Sequence, residues 1–571
     1  MYKSISRLIV CEHATRSIDP KRSITPTVRT FSHSSSAQTI RKKPFYITTP
    51  IFYVNARPHV GHLYTLVLTD VLKRYRIFTG CEAVMLTGTD EHGMKIQSAA
   101  HKAKLAPQQF CDEVSEVFRE LPSKANVEYD RFIRTTSPEH KDAVRHFWTI
   151  LMEKGLIYKA SHSGWYSVSD ETFFPATGIS QRLNLKTNQT ENFSTETGNT
   201  VTWTDEQNYH FRLSAFKDRL LAFYQNNGQF VIPRARFEDV INSVTSELQD
   251  LSVSRPSSRL TWGVRVPNDN SQTIYVWLDA LINYLTAAGY PNTTDLWPAD
   301  VQVIGKDILR FHCIYWPAFL MAADIPLPKQ IVTHAHWTMD NFKMSKSRGN
   351  VADPWMAINR FGVDSVRYYL MRDGRLENDG NYSSEHLIMR HNHELVNGLG
   401  NLTSRISSKW FDLKGILTSP PRQDSFDTNT RLVVEAIEDA TTVYHESLSE
   451  NVIHKAVGSV MHMVSAANAL MQKEEPWSKS CSEKTRTEVL YTCLEAARIA
   501  ALFLQPVMPT SMHEMLDRLG VQQDRRLATH ARYGADDSYV PSQTRQPHIF
   551  SPMDTGAPPG SVPKISKLLL K

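Results

Sequence analysis

The chain has 571 residues, 41% apolar and 22% charged, which is enough to bury a large core in roughly three or four domains and excludes a disordered, collagenous or coiled-coil protein. No apolar run reaches the roughly 18 residues that a membrane span needs, and six cysteines without a C-x-x-C pair exclude a disulfide scaffold and offer no thiolate zinc knuckle. The net charge of +5 belongs to the start of the chain: residues 1–43 hold nine basic side chains against Glu12 and Asp19, so the body beyond is slightly acidic.

The same 43 residues carry 13 Ser or Thr and no sustained apolar run. Arg-rich, Ser-rich and acid-poor is the composition of a mitochondrial transit peptide; a disordered basic tail is the alternative. Order is expected from Pro44. Phe45–Val54 (FYITTPIFYV) reads as one buried strand, rich in aromatic and β-branched residues. A helix follows, with Leu63, Leu66, Val67, Val71 and Phe78 at helical spacing and Gly80 placed to cap it. AVMLTGTDEHG then reads as a second strand running into a loop. Strand, helix, strand opens a doubly wound parallel sheet.

Ser137-Pro138 starts a helix that ends at Gly155. From about Tyr158 to Leu251 the texture changes to short strands and polar Thr/Asn-rich loops, which predicts an insertion. TIYVWLDALINYLTAAG, VQVIGKDILRFHCIYWPAFLMAA and QIVTHAHW restore the strand-to-helix rhythm. Beyond Ser384 the pattern is amphipathic helix, and the last stretch, rich in Pro, Gly, Ser and Asp, reads as a loose tail.

Two motifs carry chemistry. His59-Val60-Gly61-His62 falls at a strand-to-helix junction, where free backbone N–H groups and the helix dipole attract phosphate. Gly61 allows close approach of a nucleotide, and the imidazoles add donors without a fixed charge. Alone this is weak, since helix-start histidines are usually plain structure. Lys343-Met344-Ser345-Lys346-Ser347 adds two ammonium groups and two hydroxyls in a loop after another strand, a polyphosphate clamp where the bland reading is a solvated loop.

Together the motifs resemble the two signatures of class I aminoacyl-tRNA synthetases, H-I-G-H (here with Val for Ile) and K-M-S-K-S. The resemblance extends through TTPIFYVNARPHVGHLYT, LTGTDEHG, YVWLDALINY, VIGKDILRFHCIYWPAF, KMSKSRGNVADP, FGVDSVRYYL, LVNGLGNLTSR and EEPW, and is closest to methionyl-tRNA synthetases. It implies an α/β fold: a Rossmann-like catalytic domain with an inserted connective domain, then an α-helical anticodon-binding bundle. It implies activation of methionine with ATP and transfer to tRNA(Met) in the mitochondrial matrix. His59, His62, Lys343 and Lys346 would be catalytic. His59, Gly61, His62, Gly305, Asp307 and Lys346 would bind ATP. Asp90 would take the methionine ammonium, with Arg255 paired to Asp90. Ile51, Tyr53, Trp277, Ala280, Tyr284, Ile308 and His312 would line the methionine pocket. Asn401, Arg405 and Trp477 would read the anticodon. For Trp277, Tyr284 and Trp477 taken singly, core packing is the plain alternative, and Trp316 is read as supporting core.

Magnesium is expected with ATP. Several relatives hold zinc in the insertion on cysteine knuckles; GWYSVSDETFF has Ser167, Ser169 and Asp170 instead, so no zinc is expected. No membrane contact and a monomer are expected. The anticipated division is a transit peptide over 1–43, a catalytic domain over 44–154 and 252–372, an inserted domain over 155–251, a stem-contact junction over 373–400, the helical anticodon domain over 401–535 and a loose tail over 536–571. Rival readings are a class I synthetase for leucine, valine or cysteine, a nucleotidylyltransferase sharing H-x-G-H, and an inactive tRNA-binding protein.

Overall fold

Phe45 opens a strand that stops sooner than its composition suggests. The computed structural model describes residues 43–169, 172–184, 188–246, 248–292, 295–339, 342–343, 352–418, 420–543 and 547–554. All of the expected transit peptide except Lys43 lies outside them, as does the lysine loop from Met344 to Val351. The predicted strand over Phe45–Val54 is two: β1 (Phe45–Thr48) and β2 (Phe52–Tyr53). Pro50 separates them, and it has no N–H to continue a ladder. Helix α1 (Val60–Phe78) buries all five apolar residues that predicted it, and Gly80 follows in the left-handed region at φ +86°. Then come β3 (Ala83–Asp90), α2 (Met94–Ala103), α3 (Pro107–Lys124), β4 (Arg131–Arg134) and α4 (Pro138–Glu153). Ser137 caps α4, its side chain accepting from the His140 amide.

The central sheet is parallel throughout, ordered β4-β3-β1, then Val301–Gly305, Ile331–His334 and Val231–Ile232, with β2 also against the end of β3. The order runs outward in both directions from the seam between β1 and Val301–Gly305. Such a switch point opens a crevice at the carboxyl ends of the strands, where ligands of open α/β sheets bind. Packing of β3 on β4 is close: a Cβ on Gly88 would lie 2.1 Å from the Ile133 carbonyl oxygen, so only glycine fits there.

The insertion is smaller than the expected 155–251. Its body is an antiparallel sheet built on β5 (Ile157–Ser167) and Thr202–Phe211, with a hairpin Ile179–Asn184/Gln189–Ser194. Residues 217–245 return to the parallel sheet, because Val231 and Ile232 pair with Ile331 and Val332, and Tyr224, Phe230 and Phe237 are buried in the same core.

The C-terminal region is a helical bundle of Thr428–Ser449, Ile453–Glu474, Glu483–Leu504 and Pro509–Leu519. Arg367, on helix Val363–Asp373 and 1% exposed, ties it to the sheet domain. Its guanidinium donates to Asp70 Oδ2 of α1 (2.6 Å), to the carbonyls of Ala125 and Asn126 (3.1 and 3.0 Å), and to those of Pro506 and Val507 (both 2.9 Å). The expected loose tail is docked as far as Asp554. Tyr539 is buried and donates to Glu495 Oε1 (2.8 Å), Phe550 is buried against the helical core, and Asn392 exchanges two hydrogen bonds with the Met553 backbone. Composition suggested disorder, yet these two rings and the paired backbone groups are enough to hold the segment.

Candidate active site

His59 is the N-cap of α1. Its Nδ1 accepts from the Gly61 amide (3.0 Å), while His62 Nδ1 accepts from the His59 amide (3.1 Å), a reciprocal cap built from two imidazoles. A Cβ on Gly61 would come within 2.7 Å of the His59 ring, so the glycine makes room for the cap itself. The remaining first-turn amides are also used: Val60 N donates to Ala352 O (3.1 Å), and His62 and Leu63 donate to His59 O. The expectation of free helix N–H groups for phosphate is therefore corrected. With both Nδ1 atoms accepting, the neutral rings carry their protons on Nε2, and an anion here meets imidazole N–H groups backed by the helix dipole. The His62 ring is set edge-on against Phe52 (5.2 Å) and Phe118 (5.5 Å). Burial, with His59 beside it, holds its pKa well below the ordinary histidine value against a weaker opposite pull from Asp307, so His62 is a neutral donor.

Asp307 and Gly305 close the other side of the seam. Gly305 ends its strand in register with His334. A Cβ there would lie 2.9 Å from Asp307 Oδ1, and His336 Nε2 lies 3.3 Å from the same oxygen. His334 Nε2 is 2.8 Å from Thr65 Oγ1, joining the end of strand Ile331–His334 to α1. Strand Phe342–Lys343 pairs with Trp337–Met339, so the lysine loop leaves a hairpin at Lys343 and ends at Ala352, whose carbonyl caps α1. Lys346 lies outside the described residues, and for Lys343 only the backbone strand is described.

On the β3 side, Asp90 ends its strand in register with Tyr53. Tyr284 and His312 are buried and joined: the Tyr284 hydroxyl donates to His312 Nε2 (2.7 Å), and His312 Nδ1–H donates to Ile308 O (3.0 Å). Burial lowers the His312 pKa to about 4. Trp277 is stacked on Phe311 at 3.8 Å with its ring 6.2 Å from His312. Tyr53, Trp277 and Ile308 pack on one apolar cluster with Tyr284; Ala280 is buried on the Trp277 helix, and Ile51 is half-buried in the β1–β2 break. Trp316 is fully buried beside Tyr284, as a supporting residue should be.

Arg255 does not form the expected pair: no Arg255–Asp90 ion pair is present among the described residues. Its Nη1 donates to Ser254 O (2.7 Å) and Ser252 Oγ (3.0 Å), and the rings of Tyr275, Tyr166 and Phe173 surround the guanidinium at 4.8–5.1 Å. Aromatic faces, a carbonyl and a hydroxyl take the place of a carboxylate around this buried cation, although its Nε is left without a hydrogen-bond partner.

Sequence reading missed the polar frame behind Asp90. Glu91 is fully buried, clamped by Arg134 through both oxygens (2.6 and 2.9 Å) and by the Thr89 and Thr136 hydroxyls. His92 and His140 donate to the two oxygens of Asp279 (2.6 and 2.9 Å), all three buried. Burial alone would raise the Asp279 pKa; the two histidines pull it below the ordinary carboxylate range instead. Both clamps anchor the loop that presents Asp90. Their one signal was a T-D-E-H run that carries a buried strand into the following loop.

In the bundle, Arg405 lies over the Trp477 ring at 4.8 Å, and Trp477 is half-exposed. Asn401, one turn before Arg405 on helix Asn401–Ile406, has its amide 3.3 Å from Asn468 Oδ1. In the insertion, the end of β5 pairs with Thr172–Phe174, Trp165 opposite Phe174 and Ser167 opposite Thr172; Asp170 and Glu171 lie outside the described residues.

The family model described as tRNA synthetases class I (M) matches residues 45–407, and that of the anticodon binding domain of methionyl tRNA ligase matches 421–534. A probable mitochondrial methionine–tRNA ligase of Neurospora crassa is 48% identical over 516 residues, covering 87% of this chain and 83% of that one. One from Schizosaccharomyces pombe is 44% identical, covering 86% and 92%. Among solved structures, Mycobacterium tuberculosis methionyl-tRNA synthetase in complex with methionyl-adenylate superposes with a TM-score of 0.82 at 39% identity, covering 89% of this chain and 100% of that chain.

Proposed function

This chain belongs to the methionyl-tRNA ligase family of class I tRNA synthetases, and from that premise we propose how its residues divide the reaction. The enzyme activates methionine with ATP and transfers the methionyl group to tRNA. The methionine carboxylate, already ionised, attacks the α-phosphate in line, so no side chain need be nucleophile or base. Catalysis is positioning and stabilisation of charge developing on the departing pyrophosphate.

In this reading the Nε2–H groups of His59 and His62 donate to phosphate oxygens, and Lys343 and Lys346 supply full positive charge from the loop opposite. Gly305 and Asp307 hold the ribose, the carboxylate accepting from its hydroxyls. Asp90 takes the α-ammonium. Ile51, Tyr53, Trp277, Ala280, Tyr284, Ile308 and His312 enclose the side chain; a thioether packs well on ring edges and asks for little hydrogen bonding. Arg255 holds the strand behind the pocket rather than pairing with Asp90. Magnesium, carried in on phosphate oxygens, would neutralise charge; no zinc is assigned to the insertion, whose turn has serines where relatives hold cysteines. Asn401, Arg405 and Trp477 read the anticodon, the indole as a stacking face.

What supports this division most directly is the hydrogen bond from Val60 N to Ala352 O, which brings the exit of the lysine loop against the histidine turn. The leader composition and the mitochondrial relatives support action in the mitochondrial matrix, and we assign a monomer. Amino-acid-dependent ATP–pyrophosphate exchange across the twenty amino acids tests the reading. Exchange with methionine alone is expected; rapid exchange with leucine, valine or cysteine and none with methionine would overturn it.

A further inference from the structure

Trp410 is 90% exposed, the most exposed large apolar side chain among the described residues. Its loop is nevertheless built to hold it still. Phe411, its neighbour, is buried, and its amide donates to Ser408 O (3.2 Å). From the docked C-terminal segment, Gln543 Nε2 donates to both Ser408 O (2.9 Å) and Phe411 O (2.8 Å), gripping the loop on either side of the indole. A large ring held out at the surface by a pinned loop is well placed to contact a partner, since its apolar face and polar N–H suit an interface.

The chemistry around it selects the occupant. Trp410 follows Arg405 by five residues and so lies within about 18 Å of it, on the same stretch of chain that begins at Asn401. Lys409, Lys414 and Arg422 are exposed on this stretch. Its near acidic group, Asp412, accepts from the Gly415 amide (3.0 Å) at the start of helix Leu413–Thr418. Basic side chains on the same stretch as an exposed indole suit a nucleic acid, since cations take phosphates and the ring takes a base or ribose. A second copy of the same basic face would repel it.

We infer that Trp410 is a further contact for the anticodon arm of the tRNA, taking a nucleotide outside the group read by Asn401, Arg405 and Trp477. This rests on the reading that those three residues face the anticodon. Substituting W410A raises the KM for tRNA(Met) in aminoacylation about fivefold or more, the effect of losing one stacked nucleotide. W410F retains most of the affinity. Methionine-dependent pyrophosphate exchange and the melting temperature stay unchanged, because the side chain supports nothing within the fold. The double variant K409A/K414A makes tRNA affinity less steeply dependent on salt.

W477A run in parallel separates the two claims. If W477A raises the KM and W410A leaves it within twofold of wild type, the Trp410 contact is refuted and the anticodon reading stands. If neither moves it, both fall. A W410A protein that loses pyrophosphate exchange in proportion, or that changes from dimer to monomer in sedimentation with its tRNA KM intact, also overturns the assignment.

Discussion

Replacing Arg367 with Met tests whether one buried guanidinium fastens the helical bundle to the sheet domain. Methionine nearly matches the length of arginine but donates nothing. Asp70 would lose its 2.6 Å partner while keeping Arg74 Nε at 2.8 Å and the Glu128 amide at 2.9 Å. Breaking a buried ion pair from one side costs about 3–5 kcal/mol, and the surviving partners put Asp70 at the lower end. The carbonyls of Ala125, Asn126, Pro506 and Val507 lose their donor as well, each worth about 1–3 kcal/mol if it stays dry. Because the two loops can part and admit water, a total near 5 kcal/mol is expected. Calorimetry and denaturant titration should then show the bundle transition separating from the sheet domain and falling by roughly 10 °C or more. Aminoacylation should suffer more than pyrophosphate exchange, since the substitution releases the bundle and leaves the crevice. The double variant D70N/R367M should cost less than the sum of the two single changes. An Arg367→Met enzyme that unfolds in one step within about 1 kcal/mol of wild type would refute the reasoning.

Removal of either imidazole donor, by His59→Ala or His62→Ala, should slow adenylate formation by about 10²–10³-fold, or 2.7–4 kcal/mol; the methionine KM should hardly change, as pre-steady-state exchange would reveal. Low pH should destabilise the sheet domain through His312 and His334, both buried and each with its pKa lowered by burial to about 4. Unfolding raises these values to the ordinary 6.5, so the unfolded chain binds more protons below it, and stability is lost as pH falls from about 6.5 towards 4. Between pH 7 and pH 5 each contributes a loss of about 2 kcal/mol; a denaturant midpoint that stays flat over that range would contradict the assignment. Ending the chain at Ala535 removes the buried rings of Tyr539 and Phe550, worth about 1.5–3 kcal/mol each. The bundle should therefore melt earlier, which circular dichroism at 222 nm would register.

Helices α1 and α4 were legible because their apolar residues repeat at one period and their ends carry recognisable punctuation, Gly80 after the first and Ser137-Pro138 before the second. The paired motifs were legible because histidines and lysines are conspicuous at strand ends. Other features were hidden for physical reasons. The two residues Val231 and Ile232 show no period, and their partners at Ile331 and Val332 are a hundred positions away. Glu91, His92 and Asp279 look like surface charges until burial is known, and burial depends on three separate segments converging. The Arg255 environment depends likewise on rings from Tyr166, Phe173 and Tyr275, and no spacing in the sequence relates them. The capped first turn of α1 was hidden because a histidine accepting from its own helix looks the same in sequence as one awaiting a ligand. The docked tail misled because polar composition predicts disorder on average, whereas a few anchoring groups decide the individual case.

The seam between β1 and Val301–Gly305 also governs how the molecule comes into being. Tyr46 donates to Asp300 across 254 residues of chain, so β1 emerges long before the strand that will cover its open edge. Until then the half-sheet β4-β3-β1 presents unpaired amides and carbonyls, a template for the wrong neighbour. The crevice at this seam thus cannot exist in a nascent fragment that ends before Gly305.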